Sequence, residues 1–301
     1  MVNVTISAAG HVPLARGLPI TATFDEDATV ADVKSYVTAK FPQFYAARQK
    51  LSLKGDRKAL ADNSTLKEAG IEDGGELSVK DLGPQISWRT VFIIEYIGPL
   101  LIHPLFYHFP KVFYGGPVQH STMQKYTYAF VMLHFLKRVL ETVFVHRFSH
   151  STMPFFNVFR NSAHYWLLSG IALAYAVYRP AYSATSPYIL GTIHNNPNFL
   201  FACGALWLFA ELSNMHTHLT LRSLRPAGTT KRAIPYGYGF SFVSCPNYYF
   251  EVLSWVALAV MTGSYTAWVF VIRNLGLGSV RVTLFDWYPR GGRGSSNRWP
   301  V

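Results

Sequence analysis

From Ile86 to Val271 the chain is a succession of apolar stretches, near residues 87–106, 126–145, 162–180, 196–213 and 249–271. Each approaches the roughly 20 residues that a helix needs to cross a hydrocarbon core. Few folds accept such a pattern, because only a structure that satisfies its own backbone hydrogen bonds can face lipid. The expectation is an all-α domain of about five transmembrane spans. Composition agrees: of 301 residues 50% are hydrophobic and 14% charged, where soluble domains carry about 25% charge. The second stretch is anomalous, since Lys137, Arg138 and Glu141 lie within it. An isolated charge at a span centre costs about 2.5–3.5 kcal/mol on insertion scales, so these three are expected to face a polar interior and to be functional candidates.

The net charge of +11 does not point to nucleic acid. No zinc spacing, RNP-like run or basic helix is present, and the cations fall between apolar stretches, as in cytoplasmic membrane loops. By the same rule the second and fourth spans exit on the cytoplasmic side. Five spans would leave the tail, with Arg273, Arg281, Arg290, Arg293 and Arg298, on the lumenal side. The charge bias therefore asks for a sixth crossing. The two cysteines, Cys203 and Cys245, offer neither a disulfide framework nor a metal spacing. The first thirty residues lack signal-peptide order, so the N-terminus is expected in the cytosol and the first span is expected to direct insertion into the endoplasmic reticulum.

Residues 1–82 are polar and ordinary. Residues 2–8 and 19–24 alternate with period two and read as a hairpin. Residues 32–40 have helical spacing, with Thr29 as N-cap. Residues 50–54 and 76–79 read as strands, and residues 64–70 as a short turn of helix. This order resembles the ubiquitin-like β-grasp. No exposed Gly-Gly follows the last strand, so a fused docking module is expected rather than a conjugated one.

Two polar clusters remain. In the first, Asn214, His218, Arg222 and Arg225 recur at spacings of four, four and three, which would stack them on one side of a helix leaving the fourth span. Two Arg forks beside an amide suit the phosphates of a nucleotide or of coenzyme A. A basic collar on anionic headgroups is the alternative. His216 and His218 point opposite ways at a spacing of two, and no metal is expected. The second cluster runs from a Gly-rich turn, Tyr236-Gly237-Tyr238-Gly239, to Pro246-Asn247-Tyr248, Glu251 and Trp255. These last residues resemble the C-terminal signature of the steroid 5-alpha-reductase family. The ubiquitin-like part, Glu95-Tyr96-Ile97-Gly98-Pro99-Leu100 and the run from Lys137 to His150 resemble its very-long-chain trans-2-enoyl-CoA reductase branch.

The resemblance implies an enzyme of the endoplasmic reticulum membrane that uses NADPH to saturate a long-chain trans-2-enoyl-CoA in fatty-acid elongation, beside membrane lipid and other elongation enzymes. It implies dinucleotide contacts at Asn214, His218, Arg222, Arg225, Asn247, Glu251 and Arg138, and a carboxylate near the substrate carbonyl at Glu95. The family's usual tyrosine is replaced by Phe135, so Tyr248 is expected as proton donor, with Lys137 as the alternative. Reduction of a sterol-like enone and an inactive scaffold of the elongation machinery are the competing readings. The resemblance is read over residues 1–270. Beyond it, residues 273–301 form an atypical basic tail, broken by Arg273, Gly276, Gly278 and Arg281, where the family has a sixth span.

Overall fold

The computed structural model describes residues 1–148, 151–225 and 233–277, which fall into two compact units. The first holds a four-stranded sheet of β1 (Val2–Ala8), β2 (Ile20–Phe24), β3 (Gln49–Leu53) and β4 (Gly75–Asp81) in the order β2-β1-β4-β3. Strand β1 is antiparallel to β2 and parallel to β4, and β3 is antiparallel to β4. Alternation sets the faces: Val2, Val4 and Ile6 are buried while Asn3 and Thr5 point away. Helix α1 (Val30–Lys40) crosses over that face with Val30, Val33 and Val37 buried. It starts at Thr29 because Thr29 Oγ1 accepts from Asp32 N at 3.3 Å and Asp32 Oδ2 accepts from Thr29 N at 2.7 Å, a reciprocal cap. The parallel β1–β4 pair bridged by a helix is the β-grasp that the sequence predicts. Residues 64–70 form a turn rather than a helix; Thr65 bridges to Thr29 and is held by Glu68. The unit also takes in a short ladder of β5 (Gln85–Ser87) with β6 (Thr152–Pro154).

Arg48 grips Asp81 with two parallel bonds, Nε to Oδ1 at 2.9 Å and Nη2 to Oδ2 at 2.6 Å, and Gly83 N adds a third at 2.8 Å. Burial raises the Asp81 carboxyl, but these bonds outweigh it and leave the group below its ordinary value. A depressed carboxyl stabilises the fold above its unfolded pKa of about 4 and ceases to as pH falls below it. The β3–β4 amides are therefore expected to exchange faster below about pH 4 in the wild type than in Asp81→Asn, relative to each protein at neutral pH. Equal pH dependence in hydrogen exchange would contradict this.

The second unit is helical: α2 (Trp88–His108), α3 (Pro110–Tyr114), α4 (Thr122–Leu140) running on as a π turn (Glu141–Val145), α5 (Asn157–Ala163) joined through a π segment (His164–Ala172) to α6 (Leu173–Val177), α7 (Pro197–Ser223), α8 (Pro246–Thr262) and α9 (Tyr265–Leu277). Ser121 and Gln124 cap α4 reciprocally, and Asn196 with Pro197 opens α7. Gly98 lets α2 approach Trp166, whose indole N–H donates to Ile94 O at 2.9 Å; a Cβ there would collide with the ring.

The stretch 249–271, expected as one span, is two helices. Gly263 takes the left-handed conformation that ends α8, and the chain turns back into α9. Trp255, two turns before the break, meets Phe270, two turns after it, with ring centroids 4.7 Å apart. The pair is thus an antiparallel hairpin, and α9 adds a helix that the reading of 249–271 as one span does not contain. Among the described helices, α2 alone is both long and apolar enough to cross a membrane by length and composition. The others are shorter, interrupted or carry ionisable residues. Their faces are nonetheless inverted relative to a water-soluble bundle: α4 exposes Leu133, Leu136 and Leu140 and buries His134 and Arg138.

Candidate active site

The buried polar side chains converge where α4 and α7 end, α8 begins and α2 completes its second turn. Arg138 lies at the centre. Its Nη1 donates to Glu141 Oε2 at 2.8 Å and to His218 Nε2 at 3.0 Å; its Nη2 donates to the Tyr96 hydroxyl at 2.8 Å and lies 3.8 Å from Glu251 Oε2. Because a guanidinium only donates, His218 Nε2 must be the acceptor, so the neutral ring carries its proton on Nδ1. The guanidinium also lies over the Tyr96 ring, 4.9 Å from its centroid.

A second chain of bonds runs beside the first. Glu211 on α7 pairs with His134 Nδ1 at 2.7 Å through one oxygen and with Lys137 Nζ at 2.7 Å through the other. Lys137 donates to Asn214 Oδ1 at 2.5 Å, and Asn214 Nδ2 donates to the carbonyl of Asn247 at 2.7 Å. Residues 3 or 4 apart share one helix face, which is how His134, Lys137, Arg138 and Glu141 all look inward from α4. Asn214 and His218 do the same from α7.

Most of the residues singled out from sequence meet here. Arg138, Asn214, His218, Asn247, Glu251 and Lys137 belong to the two connected networks. Glu95 is buried on α2 with Oε1 unpartnered. Tyr248 lies on the first turn of α8 but is 49% exposed, and its hydroxyl makes no hydrogen bond among the described residues. The expected helical stack of Asn214, His218, Arg222 and Arg225 stops short: α7 ends at Ser223, which puts Arg225 beyond the helix. Arg225 and Arg147 instead clasp each other through reciprocal guanidinium-to-carbonyl bonds. Arg222 has no ion pair among the described residues. The expectations for residues 278–301 lie outside the described residues.

His134, Glu211, Tyr96 and His146 were not assigned roles from sequence. Glu211, a carboxylate at the end of an apolar run, carried the available signal; its partners, 74 or more positions away, did not. Glu141, His146 and His218 bring ligand atoms within 4.8 Å of one another. Arg138 already donates to two of the three, so the grouping has positive charge at its centre and suits an anion or a neutral polar group better than a cation. Burial, reinforced by the charges of Arg138 and Lys137, pushes His146 down to about 3, which keeps it neutral. Its Nε2 and Glu141 Oε1 are buried without hydrogen-bond partners, as are Arg138 Nε and Trp255 Nε1. The orphaned atoms on Arg138, Glu141 and His146 make this cluster the candidate ligand site.

Comparison with known proteins is consistent along the chain. Residues 151–291 match the model of the 3-oxo-5-alpha-steroid 4-dehydrogenase family, and residues 18–81 match a TECR ubiquitin-like domain. The first match runs past residue 270, where the resemblance read from sequence faded. A protein of Schizosaccharomyces pombe named as a candidate enoyl reductase is 44% identical over 89% of this chain and 87% of its own. A very-long-chain enoyl-CoA reductase of Dictyostelium discoideum is 42% identical over 71% and 68%. A Caenorhabditis elegans protein, named a probable very-long-chain enoyl-CoA reductase, is 37% identical over 80% and 79%. Among solved structures, the ubiquitin of Caldiarchaeum subterraneum covers 27% of this chain and 91% of its own, at 26% identity and a TM-score of 0.23.

Proposed function

Because the chain belongs to the very-long-chain enoyl-CoA reductase family, we propose that it saturates the 2,3 double bond of long-chain trans-2-enoyl-CoA with NADPH, as a multi-pass protein of the endoplasmic reticulum membrane working beside other elongation enzymes. The observation that carries the proposal is the buried network around Arg138, with its orphaned polar atoms, inside helices whose outward faces are apolar. Six helical passes, with the α5–π–α6 run counted as one, return the chain after α9 to the end where Arg147, Arg222 and Arg225 lie. That arrangement fits a cytosolic N-terminus and a positive cytosolic face.

The donor set suits a dinucleotide. Arg222 carries charge with no carboxylate partner among the described residues, which is what a phosphate requires. Arg222 and Arg225 would hold phosphate, while Arg138, Asn214, His218, Asn247 and Glu251 would line the remainder of the cofactor site. When bound, the reduced nicotinamide supplies hydride for the β-carbon. The chain's own residues then have two tasks: steadying the charge that develops on the thioester oxygen and delivering a proton to the α-carbon. We assign Glu95 to the neighbourhood of that oxygen. Tyr248 delivers the proton, with Lys137, whose ammonium is linked to the Asn247 carbonyl through Asn214, as the alternative donor.

Purified chain in detergent or nanodiscs, given NADPH and a long-chain trans-2-enoyl-CoA, is expected to oxidise one NADPH per saturated acyl-CoA formed. NADPH binding without turnover on any enoyl-CoA would sink the reading. The family that matches residues 151–291 is named for a steroid activity, so a 3-oxo steroid enone belongs in the same assay. Faster turnover of that substrate would favour a sterol-type reductase.

A further inference from the structure

We infer that Tyr96 is a catalytic residue of the proposed reductase, the hydrogen-bond donor to the thioester oxygen, acting as one unit with Arg138 behind it. The inference rests on the reductase reading and adds to it a residue not assigned there.

Three observations support the assignment. The first concerns hydrogen-bond capacity. A phenol oxygen both accepts and donates, and Arg138 Nη2 fills the acceptor side at 2.8 Å. Tyr96 donates no hydrogen bond among the described residues, although the side chain is only 2% exposed. A buried O–H with no acceptor is a donor waiting for one. Second, the guanidinium that donates to this oxygen polarises the O–H bond and strengthens its donation to a developing oxyanion. Third, the hydroxyl stands beside the other groups assigned to the reaction. Glu95, its chain neighbour, has an unpartnered oxygen, and Glu251 flanks the same guanidinium. The ring is fixed by Phe92, 5.9 Å away and nearly parallel, and by Tyr165, edge-on at 5.2 Å, so the hydroxyl cannot swing away. Phe135, 6.3 Å from the Tyr96 ring, has no hydroxyl to compete for the role.

The step balances without a further reagent. Hydride adds to the β-carbon, the π electrons of the double bond move toward the thioester carbonyl, and the resulting enolate oxygen is held by the Tyr96 O–H without net proton transfer. Protonation at the α-carbon by the separate donor completes the saturated acyl-CoA.

Tyr96→Phe preserves the ring packing and removes only the donor. It is expected to lower kcat about 100-fold, in line with loss of one oxyanion donor, while NADPH Kd stays within about threefold of wild type. Independently of turnover, a 3-ketoacyl-CoA bound as its enolate carries charge on the same oxygen. Its near-ultraviolet enolate band should form on the wild type and be lost on Tyr96→Phe. Tyr96→3-fluorotyrosine, which keeps ring and hydroxyl, should restore both readouts and guards against misfolding of the Phe variant. Turnover in Tyr96→Phe within about threefold of wild type, or an unchanged enolate band, overturns this assignment alone, and so does a kcat loss matched by loss of NADPH affinity. Absence of turnover in the unaltered chain overturns the reductase reading and this assignment with it.

Discussion

Arg138→Leu is expected to abolish turnover and to destabilise the helical unit by about 3–5 kcal/mol, the cost of breaking a buried charge cluster by removing one sign. Arg138 donates to Glu141, His218 and Tyr96 and lies near Glu251. Leucine fills much of the volume but leaves Glu141 with only Lys137, at 3.6 Å, Glu251 without the Arg138 guanidinium, and the His218 and Tyr96 acceptors without their donor. Lysine supplies charge without the planar fork, so Arg138→Lys should recover stability in part and activity little. Thermal unfolding in detergent and NADPH oxidation together check the prediction. A leucine variant as stable as wild type would mean that the charge of Arg138 contributes little to the stability of the fold.

How much of this was legible in sequence varied with the range of the interaction. Period-two alternation in residues 2–8 gave β1, because one face of the sheet it lies in is buried under α1 and the other is not. Thr29 announced the start of α1, because a cap is a local interaction; the structure adds Asp32, three residues on, as its reciprocal partner. The helix break at Gly263 was not read, since Ala, Val and Met before it and Tyr, Ala and Trp after it keep the stretch apolar; composition reports solvent preference and says little about direction. The arginine excess in the tail asked for a further crossing, and α9 is the helix that the proposed topology would use for it. The candidate site shows the same division. Lys137, Arg138 and Glu141 declared themselves by their cost inside an apolar run. Arg225 did not keep its helical phase because α7 ends at Ser223, short of the position that the spacing assumed. The His134–Glu211 and Arg138–Tyr96 pairings, 77 and 42 positions apart, depend on how whole helices pack and leave no local pattern.

Glu211→Gln is expected to be nearly as damaging as the loss of Arg138, because Glu211 is the carboxylate shared by His134 and Lys137. The side chains of His134 and Glu211 are 2% and 6% exposed, and that of Lys137 is 16% exposed, so water cannot replace the missing charge. Glutamine keeps the shape and one acceptor oxygen. It cannot accept from both partners through two oxygens, and its amide N–H₂ faces a donor. A loss of about 3 kcal/mol is expected, and turnover should fall with it, since Lys137 then keeps only Glu141, at 3.6 Å, as counter-charge. Lys137→Met removes the opposite sign from the same pair. If the ion pair rather than packing accounts for the loss, the Glu211→Gln/Lys137→Met double variant should be more stable than the sum of the two single losses predicts, by about 1–3 kcal/mol. Strict additivity would show that Glu211 serves His134 and the fold of α4 against α7, with Lys137 merely adjacent. A positive coupling energy would make the carboxylate the element that keeps the ammonium aimed at Asn214.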